Sequence, residues 1–423
     1  MKKADINRLK IAILHYSCPY VIGGVEEVIG QHASLFHRHG HEVKIIAGKG
    51  DVYTEEFPVI INPIFSSMNT FVNRAQQELK KGKRSNFDHL IENMFVELKS
   101  ELESFDFLIA HNVMTMPYNL PLTFAIKKLA HSGKVKVISW NHDSSYFFSD
   151  CPDVYHSEPW DILKTMFPFI HYVCISNTRC RQFHQLYETT EKITAIPDGI
   201  DPSEFFQLAP DLQQIVREQK LYKANLIMVQ PARMIPRKNI ELGLKVVYAL
   251  KEKGIDVRYL ITGAYDPHEP KNVRYYRELK KIIKDLNITR EVIIIADYPM
   301  KKGKKIIPDY TFIRDLYFIA DILFMPSLSE GFGLPLLEAG VTKLPIACSD
   351  IPSFMEIGRD HVCHFSVTDA PDRIAEKILQ FLATISTYNM YRKVIENYAW
   401  DSIYRNHIRP LFKKVIKARR GKV

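Results

Sequence analysis

The sequence predicts an α/β protein of two Rossmann-like, doubly wound domains in tandem, holding a ligand where their strand ends face each other across a cleft. Three observations carry this prediction. Short apolar runs alternate with helical segments along both halves of the chain, as parallel βαβ units require. A stretch with two prolines, a glycine and several acidic residues, AIPDGIDPSEFF (195–206), interrupts the series near its middle. The 423 residues also exceed what one ordinary core accommodates.

Taken in order, KIAILHY (10–16) is the first β-type run. A Gly-rich turn follows, then the helical pattern EEVIGQHASLFHRHG, closed by Gly40. EVKIIAG (42–48), a helical segment near 87–104, FDFLIAHN (105–112), VKVISWNHD (135–143) and IHYVCISN (170–177) complete the first half. After the interruption, LIMVQPAR (226–233) precedes a helix from Asn239, and VRYLITG (257–263) precedes another helical run. VIIIAD (292–297), ADILFMPS (320–327) and PIACSD (345–350) supply the remaining strands. The last stretch carries Trp400, Ile403, Ile408, Leu411 and Val415 at helical spacing, a face suited to packing back across the first domain. The expected boundaries are 1–200, 201–395 and 396–423.

Composition narrows the function classes. Hydrophobic residues at 46% and charged residues at 25% are those of a globular protein. No apolar run approaches the roughly 18 residues of a membrane span, and MKKADINRLKIAIL passes directly into a strand. A cytoplasmic location is expected. The six scattered cysteines include no C-x-x-C pair, which points to free, buried thiols rather than a disulfide framework or zinc site. The net charge of +9 suggests anionic partners, and the basic runs are Lys80–Arg84, Lys301–Lys305 and Lys413–Lys422. Nucleic acid is not expected, because no aromatic-interleaved basic module or helix-turn-helix pattern is present. A phosphorylated small molecule or peripheral contact with an anionic membrane surface fits the charge equally well.

Four constellations could carry chemistry. GGVEEV (23–28) opens a helix after the first strand, where Gly23 and Gly24 let backbone amides approach an anion; a plain tight turn is the alternative. PARMIPRKN (231–239) places Arg233, Arg237 and Lys238 at a strand end, where a diphosphate leaving group needs positive charge. A cation at Lys238 beside a helix start is unfavourable without an anion. SWNHDSSYF (139–147) ends a strand with His142 and Asp143 at the crevice side. SEGFGLPLLEAG (329–340) sets Glu330 and Glu338 around Gly331 and Gly333, with Ser327 or Ser329 as possible caps and Pro335 in the first helical turn. Glu338 lies too deep in that helix to cap it, and its two oxygens suit vicinal hydroxyls such as those of a ribose.

In this order, GGVE (23–26), HD (142–143), PDGID (197–201), Arg233 to Lys238 and Glu330 to Glu338 resemble the retaining, nucleotide-sugar-dependent glycosyltransferases of family 4, with two-domain GT-B architecture. The resemblance extends over almost the whole chain, including the Trp400 helix. It implies that Glu338 binds the donor ribose and Glu330 the transferred sugar. It further implies that Arg233 and Lys238 hold the diphosphate with help from Gly23 and Gly24. His142 would lie beside the donor sugar and acceptor, and backbone groups at Gly331, Phe332, Gly333 and Leu334 would contact sugar and phosphate. No cofactor is implied: the nucleotide sugar is a substrate, no metal site is expected, and a divalent ion is at most stimulatory.

Two positions depart from the family pattern, Asp198 in place of Asn and Ala232 in place of Gly. LHYSCPYVIGGVEEVIGQHA (14–33) and EPWDILKTMFP (158–168) are similar to a narrower group that makes mannosylglucosylglycerate-type compatible solutes from GDP-mannose. The implied reaction moves a hexose, with mannose favoured, to a hydroxyl of a small anionic acceptor such as a glucosylglycerate or its phosphate, or of a sugar. An anionic acceptor would suit basic first-domain residues such as Lys80–Arg84, for which a solvated loop is the alternative. Other donors on glycan or lipid acceptors, a phosphorylase, or a non-catalytic nucleotide-sugar-binding protein remain open.

Overall fold

The computed structural model describes residues 8–263, 270–300 and 306–418. The chain divides into two compact units, Met1–Asp201 with Tyr398–Val423, and Pro202–Asn397.

The first unit is built on strands β1 (Lys10–His15), β2 (Glu42–Ala47), β3 (Val59–Ile61), β4 (Phe107–His111), β5 (Lys136–Asn141), β6 (Ile170–Cys174) and β7 (Thr194–Ala195). They pair in parallel in the order β3-β2-β1-β4-β5-β6-β7. Their apolar runs are nearly continuous because helices cover both faces. Successive side chains of a strand point to opposite faces. Ala12 and Leu14 accordingly join one core cluster, with Phe87, Met94 and Leu98 of the helix Ser85–Glu101. Ile11 and Ile13 join the other, with Val28, Ile29 and Phe36 of the helix Gly24–Arg38.

That second cluster also contains Trp400, Ile403, Ile408, Leu411 and Val415, so the C-terminal stretch does pack on the first unit. The return is stitched by Ile200 N–H donating to Tyr398 O (2.9 Å) and Trp400 N–H donating to Ile200 O (3.1 Å). Gly199 permits the approach: a Cβ there would stand 2.7 Å from both Tyr398 O and Ile403 Cδ1.

In the second unit, β8 (Leu226–Gln230), β9 (Val257–Ile261), β10 (Val292–Ile294), β11 (Ile322–Met325), β12 (Ile346–Ser349) and β13 (Cys363–Phe365) form a parallel sheet. Its order is β10-β9-β8-β11-β12-β13. In both sheets the direction of winding reverses once, between β1 and β4 and between β8 and β11. Open α/β sheets hold ligands outside the carboxyl ends of strands at such switch points.

Three strands were not legible in the sequence: β3, β7 and β13 have three, two and three residues, too few for a periodicity. VIIIAD is only half strand, since Ile295–Asp297 turn into a 3₁₀ helix. The basic run Lys301–Lys305 and the end of the basic tail, including Lys422, lie outside the described residues.

Candidate active site

In the second unit, the loops after β8 and β11 meet through charge. Lys238 Nζ donates to Glu330 Oε1 at 2.5 Å, and Arg237 Nη1 donates to Glu330 Oε2 at 2.7 Å and to Ser329 O at 3.0 Å. Ser327 Oγ adds a bond to Glu330 Oε1 at 2.7 Å. Burial opposes ionisation of Glu330, but the bonds from Lys238, Ser327 and Arg237 outweigh it and hold its carboxyl below the usual range. The backbone is fixed as well. Leu328 N–H donates to Arg237 O (2.8 Å), and buried Gln230, at the end of β8, donates from Nε2 to Lys238 O (2.9 Å).

Several expectations change here. The unfavourable cation beside the helix Ile240–Glu252 already has an anion, Glu330, so the mismatch by itself does not require a ligand. Ser327 does not cap the following helix, whose N-cap is Gly333 with no side-chain cap bond; the Ser327 hydroxyl is spent on Glu330. Gly333 sits at φ 124, a conformation that favours glycine, whereas a Cβ on Gly331 would meet open space. Phe332 and Leu334 are exposed beside it. Glu338 is half-buried on the helix Leu334–Val341, and its Oε2 accepts from Tyr317 Oη at 2.7 Å. The two glutamates are thus held by different partners. Arg233 is exposed on the β8 loop and makes no ion pair among the described residues.

The first unit contains a separate constellation at its own switch point. Asn112, just past β4 in the left-handed conformation (φ 58), accepts on Oδ1 from the N–H groups of His142 (2.7 Å) and Asp143 (3.2 Å). It thereby fixes the backbone where β5 ends. The buried His142 ring has both nitrogens engaged: Nδ1 lies 3.3 Å from Asp198 Oδ2, and Nε2 lies 3.0 Å from His111 Nδ1. Burial first, then the neighbouring His142, His32 and His15, push His111 well below the usual histidine range. A hydrogen bond joins the two rings across this Nδ1–Nε2 contact.

Gly23 behaves differently from Gly24. A Cβ at Gly23 would collide with Glu26 Oε2 at 2.1 Å, so the glycine makes room for this chain's own carboxylate; at Gly24 a Cβ would meet nothing within 4 Å. Glu26 accepts on Oε1 from Ser17 Oγ at 2.5 Å. Gly24 and Glu26, but not Gly23, line a cavity of about 560 Å³ together with His142, Asp143, Arg179 and Asp198.

Two family profiles match in succession: one described as Glycosyltransferase Family 4 over residues 22–204, and one described as Glycosyl transferases group 1 over residues 212–399. The chain belongs to glycosyltransferase family 4. Among the curated members it is similar to, the mannosylglucosylglycerate synthase of Thermotoga maritima is 22% identical over 92% of this chain and 94% of that protein. A serotype-specific mannosyltransferase, WbdA of Escherichia coli, is 44% identical over 72 residues, which are 17% of this chain and only 9% of that protein. A solved glycosyltransferase from Rickettsia africae ESF-5 aligns over 97% of this chain and 99% of that chain at 18% identity, with a TM-score of 0.39.

For this family member, the residues anticipated from sequence fall into two sets, Gly23, Gly24 and His142 in the first unit and Arg233, Lys238, Gly331–Leu334, Glu330 and Glu338 in the second. The structure adds Gln230, Ser327, Tyr317, Glu26 and Asn112 to these residues. Glu26 had a signal in its place inside GGVE; Tyr317 and Asn112 act through partners 21 and 30 residues away, and Gln230 and Ser327 through loop geometry that no local pattern marks. The basic residues Lys80–Arg84, considered for an anionic acceptor, are exposed between two helices, and none is among the cavity-lining residues.

Proposed function

We propose that this chain transfers a hexose from a nucleoside-diphosphate sugar to an acceptor hydroxyl with retention at the anomeric carbon. The bond from that carbon to the phosphate oxygen breaks, and the bond to the acceptor oxygen forms on the same face. The acceptor proton passes to the departing phosphate. The observation that carries this is the Lys238–Glu330–Arg237 constellation at the switch point of the second sheet. A departing diphosphate accumulates negative charge, and donors preorganised against it lower the barrier. An ammonium has three N–H donors, so Lys238 can keep its bond to Glu330 and still offer two to phosphate oxygens. Glu330 then anchors two cations, Arg233 adds charge from the same loop, and Glu338 Oε1, the oxygen not bonded to Tyr317, takes the ribose hydroxyls. His142 contributes from the first unit beside the acceptor. Mannose from GDP-mannose is the favoured donor, in keeping with the mannosyl-transferring names of the relatives above. Six free cysteines, five of them buried, suit action in the reducing cytoplasm.

A panel of nucleotide sugars read by thermal shift and donor consumption tests this. GDP-mannose is expected to give the largest stabilisation. Glu338→Ala should raise the donor KM roughly tenfold or more, the loss of a charged hydrogen bond, while lowering kcat less. An unchanged KM for every donor would remove the ribose role. Because the positive charge comes from side chains, turnover is expected to persist in EDTA. Activity lost on chelation and restored specifically by a divalent ion would contradict it.

A further inference from the structure

Resting on the transfer reading above, we propose that the first-unit cavity takes a neutral, hydroxyl-rich acceptor, a sugar or polyol gripped by Glu26, Asp198 and His15, and that it turns anionic acceptors away. The cavity, at about 560 Å³, is in the size range of roughly 300–1,000 Å³ usual for small-molecule sites.

Beside the donors Ser67, Asn112, Tyr118 and Arg179, the lining presents several acceptors. His15 Nδ1 faces the His111 carbonyl at 2.8 Å, so Nδ1 carries the proton and Nε2 presents a lone pair. The ring is buried, which pushes its pKa down to about 4 and leaves it neutral at pH 7. Nε2 is 3.9 Å from Glu26 Oε1 and has no hydrogen-bond partner among the described residues. One oxygen of Asp198 faces His142, while the other, Oδ1, is buried without a partner. Glu26 has one oxygen on Ser17, and its other is the one for which Gly23 leaves space. Buried acceptors of this kind require donors. Hydroxyl groups supply them, and a carboxylate or phosphate dianion supplies none.

The charge balance points the same way. Three carboxylates line the cavity, Glu26, Asp143 and Asp198, against one guanidinium, Arg179. Arg179 is committed to Asp143 (3.2 Å) and Gln182 (2.8 Å), with its guanidinium 5.3 Å from the Phe147 ring centre. Even a protonated His142 would leave the lining negative. Like charge placed against like charge is how a site rejects a competitor. Tyr118 completes the match. It lines the cavity, is 48% exposed, and is braced edge-on by Tyr16 at 5.7 Å, offering an apolar surface to the C–H face of a sugar.

The experiment uses the full chain with GDP-mannose as donor and matched acceptors that differ at one carbon. Methyl glucoside is compared with methyl glucuronide and glucose 6-phosphate, and the manno and galacto counterparts likewise. Binding is read by saturation-transfer NMR, transfer by product formation, and donor hydrolysis in the same samples. We expect a neutral member to be bound and used at least tenfold better than its anionic partners. Glu26→Gln and Asp198→Asn, which keep an acceptor oxygen but remove charge, should bring that ratio toward unity. Equal or better use of the anions, no binding of either class, or a ratio untouched by both substitutions would overturn the inference. Donor hydrolysis separates the two levels: if donor is consumed while neutral selectivity fails, transfer stands and this inference falls; if no donor is consumed, both fall.

Discussion

Replacing Lys238 with Ala is expected to lower kcat by roughly 10²–10³, a loss of about 3–4 kcal/mol of transition-state stabilisation. The ammonium is positioned from several directions. Its side chain is only 12% exposed, its nitrogen is tied to Glu330, and its carbonyl is gripped by Gln230. A charge held in place needs no reorganisation as the leaving group departs, which is why such groups contribute more in a site than in water. The substitution leaves Glu330 with Arg237 and Ser327, so the carboxylate is not stranded and the fold should tolerate the change. The check is kcat alongside the melting temperature. A large fall in kcat with little change in Tm is expected, and wild-type kcat would sink the diphosphate role. Lys238→Arg should recover only part of the rate, because a planar guanidinium cannot reproduce a compact ammonium on this short tether.

The second large effect concerns stability. Trp400→Ala is expected to cost about 3–5 kcal/mol, as for other fully buried large-to-small changes. It should lower the melting temperature of the first unit by roughly 6–20 °C. Trp400 is 1% exposed, packs edge-on against His32 at 4.6 Å between ring centres, and donates its indole N–H to Gln31. It also anchors the strand-like exchange with Ile200, so its loss loosens the whole returning segment. Calorimetry resolving the two units should show the second unit's transition unmoved. A shift of less than about 1 °C in both would mean that the C-terminal segment contributes nothing to the first core.

Much of the fold could be read directly from the chain, for a physical reason. Strands of a parallel sheet are covered on both faces, so KIAILHY, FDFLIAHN and LIMVQPAR stand out as apolar runs whatever their neighbours. β3, β7 and β13 escaped because edge strands of two or three residues are stabilised by pairing rather than by their own pattern. The site was legible only in part. Arg233 and Lys238 look equivalent in PARMIPRKN, yet one is exposed with no ion pair among the described residues while the other is half-buried in one. Ser327 reads as a cap and instead serves Glu330, since the helix begins only at Gly333.

By itself, then, the sequence determined the alternation of the longer strands and helices and put GGVE, HD, PARMIPRKN and SEGFGLPLLEAG at the carboxyl ends of strands. Those features are local, set by apolar runs, turn residues and helix starts within a few positions of each other. Only the tertiary structure decided which charges neutralise one another and what sign remains facing the first-unit cavity. Glu26, Arg179 and Asp198 are far apart in the chain, and electrostatic energy depends on the distances that folding creates between such groups. A net charge of +9 over the whole chain therefore gave no warning of a cavity lined mainly by carboxylates.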